Sequence, residues 1–130
     1  MSYSSIGNTT YHYSIKNNKT INYFDRINWG PKLWDILHTF SYNYSMTPTR
    51  DEQINASNYL KSLCLLLPCD FCKDHCSEFI RSNPPRIDNR NNLINWVLLF
   101  HNNVNRRLHK QTWTRQQLDE KFETGNAFCQ

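Results

Sequence analysis

The stretch LLPCDFCKDH, residues 66–75, separates two helical patterns and carries the most distinctive side chains of the chain. Pro68 stops the pattern before it and suits the first turn of a helix after it. Cys69 and Cys72 follow at a spacing of three, so both sulfurs fall in one N-terminal turn. Backbone N–H groups without internal partners and the positive end of the helix dipole favour a thiolate there. This pattern indicates reversible disulfide chemistry.

Helical periodicity extends outward from this stretch in both directions, and no alternating strand pattern accompanies it. The predicted helices run from Pro31 to before Pro48, from Thr49 to Pro68, from Pro68 or Cys69 to Asn83, from about Asn91 to Leu108, and from Thr114 to Gly125. Their predicted inward-facing residues are Leu33, Leu37, Phe40, Tyr44, Ala56, Leu60, Leu63, Cys64, Leu67, Cys72, Cys76, Phe79, Ile80, Leu93, Val97, Phe100, Val104 and Leu108. Short connections make neighbouring helices antiparallel, so we predict an all-α four-helix bundle plus a short fifth helix.

Local signals mark the predicted helix ends. Thr49 with Glu52 and Thr114 with Gln117 have the spacing of capping boxes. Trp113 and Leu118 occupy the positions of a hydrophobic staple around the second box. The sequence Asn83-Pro84-Pro85 ends the third helix because a residue before proline avoids helical angles.

The length of 130 residues suits one domain. Residues 1–22 are rich in Ser, Asn, Thr and Tyr and are predicted to form a flexible N-terminal arm before a domain at 23–124 and a tail at 125–130. The arm has neither the apolar core of a secretory signal nor the Arg-rich pattern of a transit peptide. No apolar run is long enough to cross a bilayer, so we expect a soluble protein with no membrane partner.

The net charge of +4 comes from 15 Lys and Arg against 11 Asp and Glu and forms no basic stripe. We therefore expect no nucleic-acid partner. The densest basic segment, residues 106–110, suits either a helix C-terminus or a contact with phosphate, and an anionic cofactor would satisfy both readings. The five cysteines lack the regular spacing of a secreted disulfide scaffold, which favours redox or metal chemistry.

Two polar pairs lie on apolar helix faces. His101 and Asn105 are four residues apart on the fourth helix, and Trp34 and His38 repeat that spacing on the first. Buried His and Asn side chains need hydrogen-bond partners, which a heteroaromatic ligand can supply. One such pair alone would indicate ordinary core packing. Two pairs together with a C-x-x-C motif favour a bound redox ligand.

Three motifs in combination carry a family resemblance: WGPKLWDILHT at 29–39, PCDFCKDH at 68–75, and Trp96 with HNNVNRRLHK at 101–110. Over Trp29 to about Phe122 the chain resembles the Erv/ALR family of FAD-linked sulfhydryl oxidases, in the short form found in large DNA viruses. The resemblance implies an enzyme that transfers electrons from protein dithiols through Cys69 and Cys72 to FAD and then to O2, giving H2O2. A viral source would place it in the host cytoplasm or the virion.

The resemblance also implies where the cofactor and partners lie. FAD would occupy the mouth of the bundle with Cys72 beside the flavin, Cys69 would exchange with substrate thiols, and a homodimer would form through the first two helices. The implied FAD-binding residues are Trp29, Gly30, Trp34, His38, His75, His101, Asn102, Val104, Asn105, Leu108 and Lys110, with Lys121 and Phe122 as a basic and aromatic pair. No metal site is implied.

The chain departs from the family pattern at several positions. Leu67 stands where an aromatic residue is usual, and Cys76 stands where the viral forms often have an apolar residue. There is no second C-x-x-C, so substrate would meet Cys69 directly. The sequence leaves open whether Cys64 and Cys76 are bridged and what Cys129 does.

Three rival functions use the same residues. A zinc-stabilised interaction module could draw ligands from Cys64, Cys69, Cys72, His75 and Cys76. Zinc modules usually take ligands from two separated knuckles, and zinc leaves the Trp and His-Asn motifs unexplained. A thioredoxin-like reductase needs strands that the pattern lacks. A catalytically dead family member remains an open alternative, and the sequence does not specify the physiological substrate, the dimer geometry or the host.

Overall fold

The structure is a computed structural model that describes residues 21–123. The helices in this range are α1 (Arg26–Tyr42), α2 (Arg50–Leu65), α3 (Asp70–Ser82), α4 (Arg90–Arg107) and α5 (Arg115–Phe122). The predicted fold class, four long helices and a short fifth, is confirmed. Most of the predicted arm, and the tail with Gly125 and Cys129, lie outside the described residues.

The start of α1 differs from the prediction. The helix begins at Arg26, and the Asp25 side chain caps it by accepting a hydrogen bond from the Ile27 amide at 3.0 Å. Pro31 therefore lies inside the helix instead of opening it. Its missing N–H leaves the Ile27 carbonyl without the usual i→i−4 bond. The helix stops at Tyr42, earlier than the predicted limit before Pro48.

The other helix starts follow the sequence signals closely. Both predicted capping boxes form, with Glu52 N donating to Thr49 Oγ1 at 3.1 Å and Gln117 N donating to Thr114 Oγ1 at 3.2 Å. Cys69 caps α3, because its sulfur accepts from the Cys72 amide at 3.2 Å. The N-cap of the helix is thus one of the two cysteines of the C-x-x-C motif.

The core joins all four long helices. Every predicted inward-facing residue except Leu108 lies in the main buried cluster or packs against it. Helix α1 packs on α4, and α2 packs on α3. A smaller cluster of Tyr42, Ile94 and Leu118 holds α5, with Trp113 packed against it as the predicted staple requires. The pairing of α1 with α4 brings together the two faces that carry the predicted polar pairs.

A disulfide joins Cys64 at the end of α2 to Cys76 in α3, with a Cα–Cα distance of 5.2 Å. The bridge that the sequence left open is therefore present. It fixes α3 against α2 only one turn from the C-x-x-C motif. None of the helices between residues 21 and 123 combines the length and apolar character needed to span a membrane.

Candidate functional site

A cavity of about 290 Å³ opens between α1, α4 and the loop that follows α4, with α3 forming one wall. The predicted cofactor residues that line it are Trp29, Gly30, Trp34, His75, His101, Val104, Asn105, Leu108, Lys110 and Lys121. Cys72 also lines it. His38, Asn102, Phe122 and Cys69 are not part of the lining. The structure thus gathers ten of the thirteen predicted binding residues around one cavity.

Flat aromatic rings form one side of the cavity. The Trp34 and His101 rings are stacked with centroids 4.2 Å apart and planes only 10° from parallel. Phe100 meets the Trp34 ring edge-on at 5.0 Å. This arrangement holds the indole and imidazole rigidly, and rigid aromatic surfaces suit a planar heteroaromatic ligand.

His38 lies behind this wall. Its Nε2 is 2.8 Å from His101 Nδ1, and the side chain is 2 % exposed. Burial, His101 and Lys121 lower the pKa of His38 to about 3. Burial, Lys110 and Lys121 lower the pKa of His101 to about 4. Both imidazoles are therefore neutral at physiological pH.

The two asparagines of the HNNVN motif hold the loop after α4. Asn102 donates through Nδ2 to the Trp113 carbonyl and accepts at Oδ1 from the Trp113 amide, both at 2.8 Å. The Asn105 side chain donates through Nδ2 to the Gln111 carbonyl at 3.2 Å, and the Asn105 backbone carbonyl accepts from the Lys110 amide at 2.7 Å. These bonds place Lys110, Gln111 and Trp113 on the cavity wall.

Helix α5 contributes the remaining basic and aromatic pair. The Lys121 ammonium is 3.2 Å from Asp35 and lies over the Trp113 ring at 5.5 Å. The Phe122 ring packs against His38 at 5.2 Å and stacks on Tyr42 at 5.6 Å. Lys121 therefore faces the cavity, and Phe122 supports its wall from outside.

The C-x-x-C pair lies where the cavity meets the surface. The Cys69 and Cys72 sulfurs are 2.7 Å apart and not bonded. Cys69 is half-buried, whereas Cys72 is buried and lines the cavity. A thiol from outside can thus reach Cys69, while Cys72 faces whatever occupies the cavity.

Two cations near this pair were not predicted from the sequence to lie beside it. Burial, and secondarily the neighbouring Cys69, raise the pKa of Cys72, and Arg26 opposes that rise. Arg107 lines the cavity beside the same thiol, with its guanidinium 5.3 Å above the Phe71 ring. Arg26 was missed because the first helix was predicted to start after it. Arg107 follows Val104 by three residues, so the helical spacing of the motif could have indicated it.

The zinc alternative is not favoured. The disulfide removes Cys64 and Cys76 from the set of possible ligands. Within residues 21–123, no group of three or more His, Cys, Asp and Glu side chains could hold a metal ion.

The lining of the cavity is chemically suited to a dinucleotide with a flat ring system. Its walls offer stacked aromatic rings, and Arg26, Arg107, Lys110 and Lys121 supply positive charge for phosphates. The Arg107 Nε atom is buried and has no hydrogen-bond partner within residues 21–123. An acceptor from a ligand would satisfy such a donor.

Comparisons with known proteins agree with this geometry. The sequence profile of the Erv1 / Alr family matches residues 31–123. An "FAD-linked sulfhydryl oxidase" of African swine fever virus (isolate Tick/Malawi/Lil 20-1/1983) is 35% identical over 85 residues, which is 65% of this chain and 71% of the relative. The Arabidopsis thaliana "FAD-linked sulfhydryl oxidase ERV1" is 31% identical over 101 residues, covering 78% of this chain and 52% of the relative.

Solved structures give the same result for the fold. The crystal structure of the yeast Erv1 core matches with a TM-score of 0.77 at 23% identity, covering 86% of this chain and 95% of that one. The FAD binding domain of Erv1 from Saccharomyces cerevisiae matches with a TM-score of 0.71 at 26% identity, covering 74% and 91%. Because the family profile spans most of the chain and a viral relative exceeds 30% identity, the chain belongs to the Erv1 / Alr family.

Proposed function

We propose that this protein is an FAD-linked sulfhydryl oxidase that forms disulfides in protein dithiols and passes the electrons to O2, producing H2O2. The observation that carries this proposal is the placement of the C-x-x-C pair. Cys69 is accessible to a thiol from outside, and Cys72 lines an aromatic, cationic cavity that fits FAD. Family membership and the names of the relatives support the same activity.

The chemistry of the protein side is thiol–disulfide exchange. With Cys69 and Cys72 oxidised, a substrate thiolate attacks Cys69 Sγ, a mixed disulfide forms, and Cys72 leaves as a thiolate. The second substrate thiolate attacks the substrate sulfur of the mixed disulfide and releases Cys69. The substrate leaves oxidised, and the pair holds two electrons. Bound FAD supplies the acceptor for these two electrons and their transfer to O2.

The cavity residues have distinct parts in holding FAD in this proposal. Trp34 and His101 provide the stacked wall, and Asn105 fixes the loop that presents Lys110. Lys110 and Lys121 neutralise phosphate charge. The shape of the cavity is set by the remaining predicted lining residues, which are Trp29, Gly30, His75, Val104 and Leu108. Three further predicted residues support the lining residues without contacting the cofactor: His38, Asn102 and Phe122.

We further propose a homodimer formed through α1 and α2. Both helices expose large apolar side chains, among them Ile36 on α1 and Ile54 and Tyr59 on α2. Burying such side chains against a second copy would be favourable. The similarity to African swine fever virus relatives supports a viral source. We propose that the protein acts on protein thiol substrates in the host cytoplasm or the virion.

The decisive experiment is an absorption spectrum of the purified protein before and after anaerobic addition of dithiothreitol, with zinc measured on the same sample. We expect an oxidised-flavin spectrum that bleaches with the thiol and recovers in air with release of H2O2. A colourless protein that carries stoichiometric zinc would overturn the proposal. A flavin that stays oxidised in excess dithiol would instead indicate a catalytically inactive family member.

His101→Ala tests the proposed cavity directly. Loss of the ring that stacks on Trp34 should release FAD and lower the melting temperature, because a bound ligand stabilises the folded state by mass action. Flavin content and melting temperature are measured on the same preparation. Full flavin occupancy in this variant would show that the cofactor does not bind at this wall.

A further inference from the structure

The contact between His38 and His101 constrains the protons of both rings. Two neutral imidazoles carry two N–H protons on four ring nitrogens. One of these protons forms the 2.8 Å hydrogen bond between His38 Nε2 and His101 Nδ1. The second proton has two possible places. It lies on His38 Nδ1 or on His101 Nε2, depending on which ring donates across the contact.

The surroundings of the two outer nitrogens are unequal. His38 Nδ1 is fully buried and has no hydrogen-bond partner among residues 21–123. His101 lines the cavity, and its Nε2 is not among the buried side-chain atoms that lack a partner in residues 21–123. A buried N–H without a partner is rarer and costlier than a buried acceptor without one. The proton therefore belongs on His101 Nε2, and His38 is the donor across the contact.

We propose that His38 is a positioning residue that donates from Nε2 to His101 Nδ1 and so holds His101 in the Nε2–H tautomer, giving the cavity wall a fixed hydrogen-bond donor. The ligand group opposite His101 is then an acceptor, an oxygen or a ring nitrogen. That this acceptor belongs to FAD rests on the proposed function, whereas the tautomer of His101 is independent of it.

Burial, and secondarily the charges around the pair, keep both rings neutral. Lys121 disfavours protonation of both histidines, Lys110 disfavours it at His101, and Asp35 only partly offsets them. The pKa values of about 3 and about 4 place protonation well below neutral pH. The tautomer is therefore a fixed property of the cavity and does not switch between pH 6 and 8.

The tautomer is directly measurable in the FAD-loaded protein by long-range ¹H–¹⁵N NMR correlation of ¹⁵N-labelled histidines. We expect a protonated Nε2 and an unprotonated Nδ1 in His101, and the same state in His38. An Nδ1–H signal for His101 would overturn the proposal. If the purified protein binds no FAD, the proposed function fails, while the same spectrum of the purified chain still decides the tautomer.

Two substitutions at His38 separate hydrogen bonding from packing. The amide of His38→Gln can donate from a position close to that of Nε2, whereas His38→Phe keeps a ring and removes the donor. We expect His38→Gln to preserve the His101 tautomer, and His38→Phe to lose it and to weaken FAD binding about tenfold. Equal FAD affinity in both variants, or a preserved tautomer in His38→Phe, would contradict a positioning role.

His109→Asn is the matched control. His109 is exposed, lies after α4 and has a φ of 57°, which asparagine tolerates well. Its FAD affinity and His101 spectrum should equal those of the wild type. A shift in this control would show that the histidine signals respond to general changes in the protein. Circular dichroism identifies a His38→Phe variant that fails to fold, in which case the wild-type spectrum and His38→Gln decide.

Discussion

Helix α3 carries one cysteine from each of two cysteine pairs. The two pairs lie close together but differ in bonding and in solvent exposure. Cys72 and Cys76 are one turn apart on the same helix, and both line the cavity. Cys76 is bonded to Cys64, and each is 2 % exposed. Cys72 faces the half-buried Cys69 at 2.7 Å without a bond. We propose that access of the partner sulfur to substrate, and not closeness to the cavity, distinguishes the redox-active pair from the structural one.

The largest expected difference between the pairs is in turnover. Cys69→Ser should reduce dithiol-dependent oxygen consumption to background while the protein keeps its flavin, because substrate then has no disulfide to attack. Cys64→Ser/Cys76→Ser should retain most of the turnover at equal flavin content. An oxygen electrode and the flavin absorbance give both quantities. Normal turnover in Cys69→Ser would remove this residue from the mechanism.

The second expected difference is in stability. Replacing Cys64 and Cys76 by alanine should lower the free energy of unfolding by about 2–4 kcal/mol, since a disulfide that closes a loop of this length restricts the unfolded chain. Replacing Cys69 and Cys72 in the same way should cost much less. Urea unfolding at equal FAD saturation measures both values. Similar losses in the two double variants would mean that both pairs are structural.

The smallest expected effect concerns the charge beside Cys72. Burial raises the pKa of this thiol, and the Arg26 guanidinium opposes the rise. The Arg107 guanidinium also interacts electrostatically with Cys72. Arg107→Gln removes a cation that favours the thiolate, so the pKa should rise further and the thiolate fraction at pH 7 should fall about three- to tenfold. We would measure the alkylation rate of Cys72 against pH in the Cys69→Ser background.

The exposed neighbour Arg106 provides the control for this measurement. Arg106→Gln lies on the same turn of α4 and changes the net charge equally, yet it should leave the pH profile in place because solvent screens its charge. Flavin content has to be equal in both variants, because Arg107 also lines the cavity. Identical profiles for the two variants would show that Arg107 does not act on the thiol.

Local sequence signals predicted most of the fold, because they act over a few residues. The capping boxes at Thr49 and Thr114 and the proline stop after Asn83 all form as expected. The first helix was the exception. Proline is a strong start signal, and the Asp25 cap was not recognised because no Glu or Gln three residues later reinforces it. That error moved Arg26 out of the predicted helix and out of the predicted site.

The site was predictable where one helix face determined it and unpredictable where two helices had to meet. The spacing of Trp34 to His38 and of His101 to Asn105 put each pair on one face. The bond between His38 and His101 joins residues 63 positions apart, so it depends on how closely α1 approaches α4. The pairing of Cys64 with Cys76 likewise required the distance between α2 and α3.

The two-bond contact of Asn102 with the Trp113 backbone has a kinetic consequence. Trp113 and Lys121 line the cavity, so local opening of the loop and α5 would loosen one wall around a bound dinucleotide. The residence time of the cofactor should follow the amide hydrogen-exchange rates of this segment, and not the rates of the four long helices.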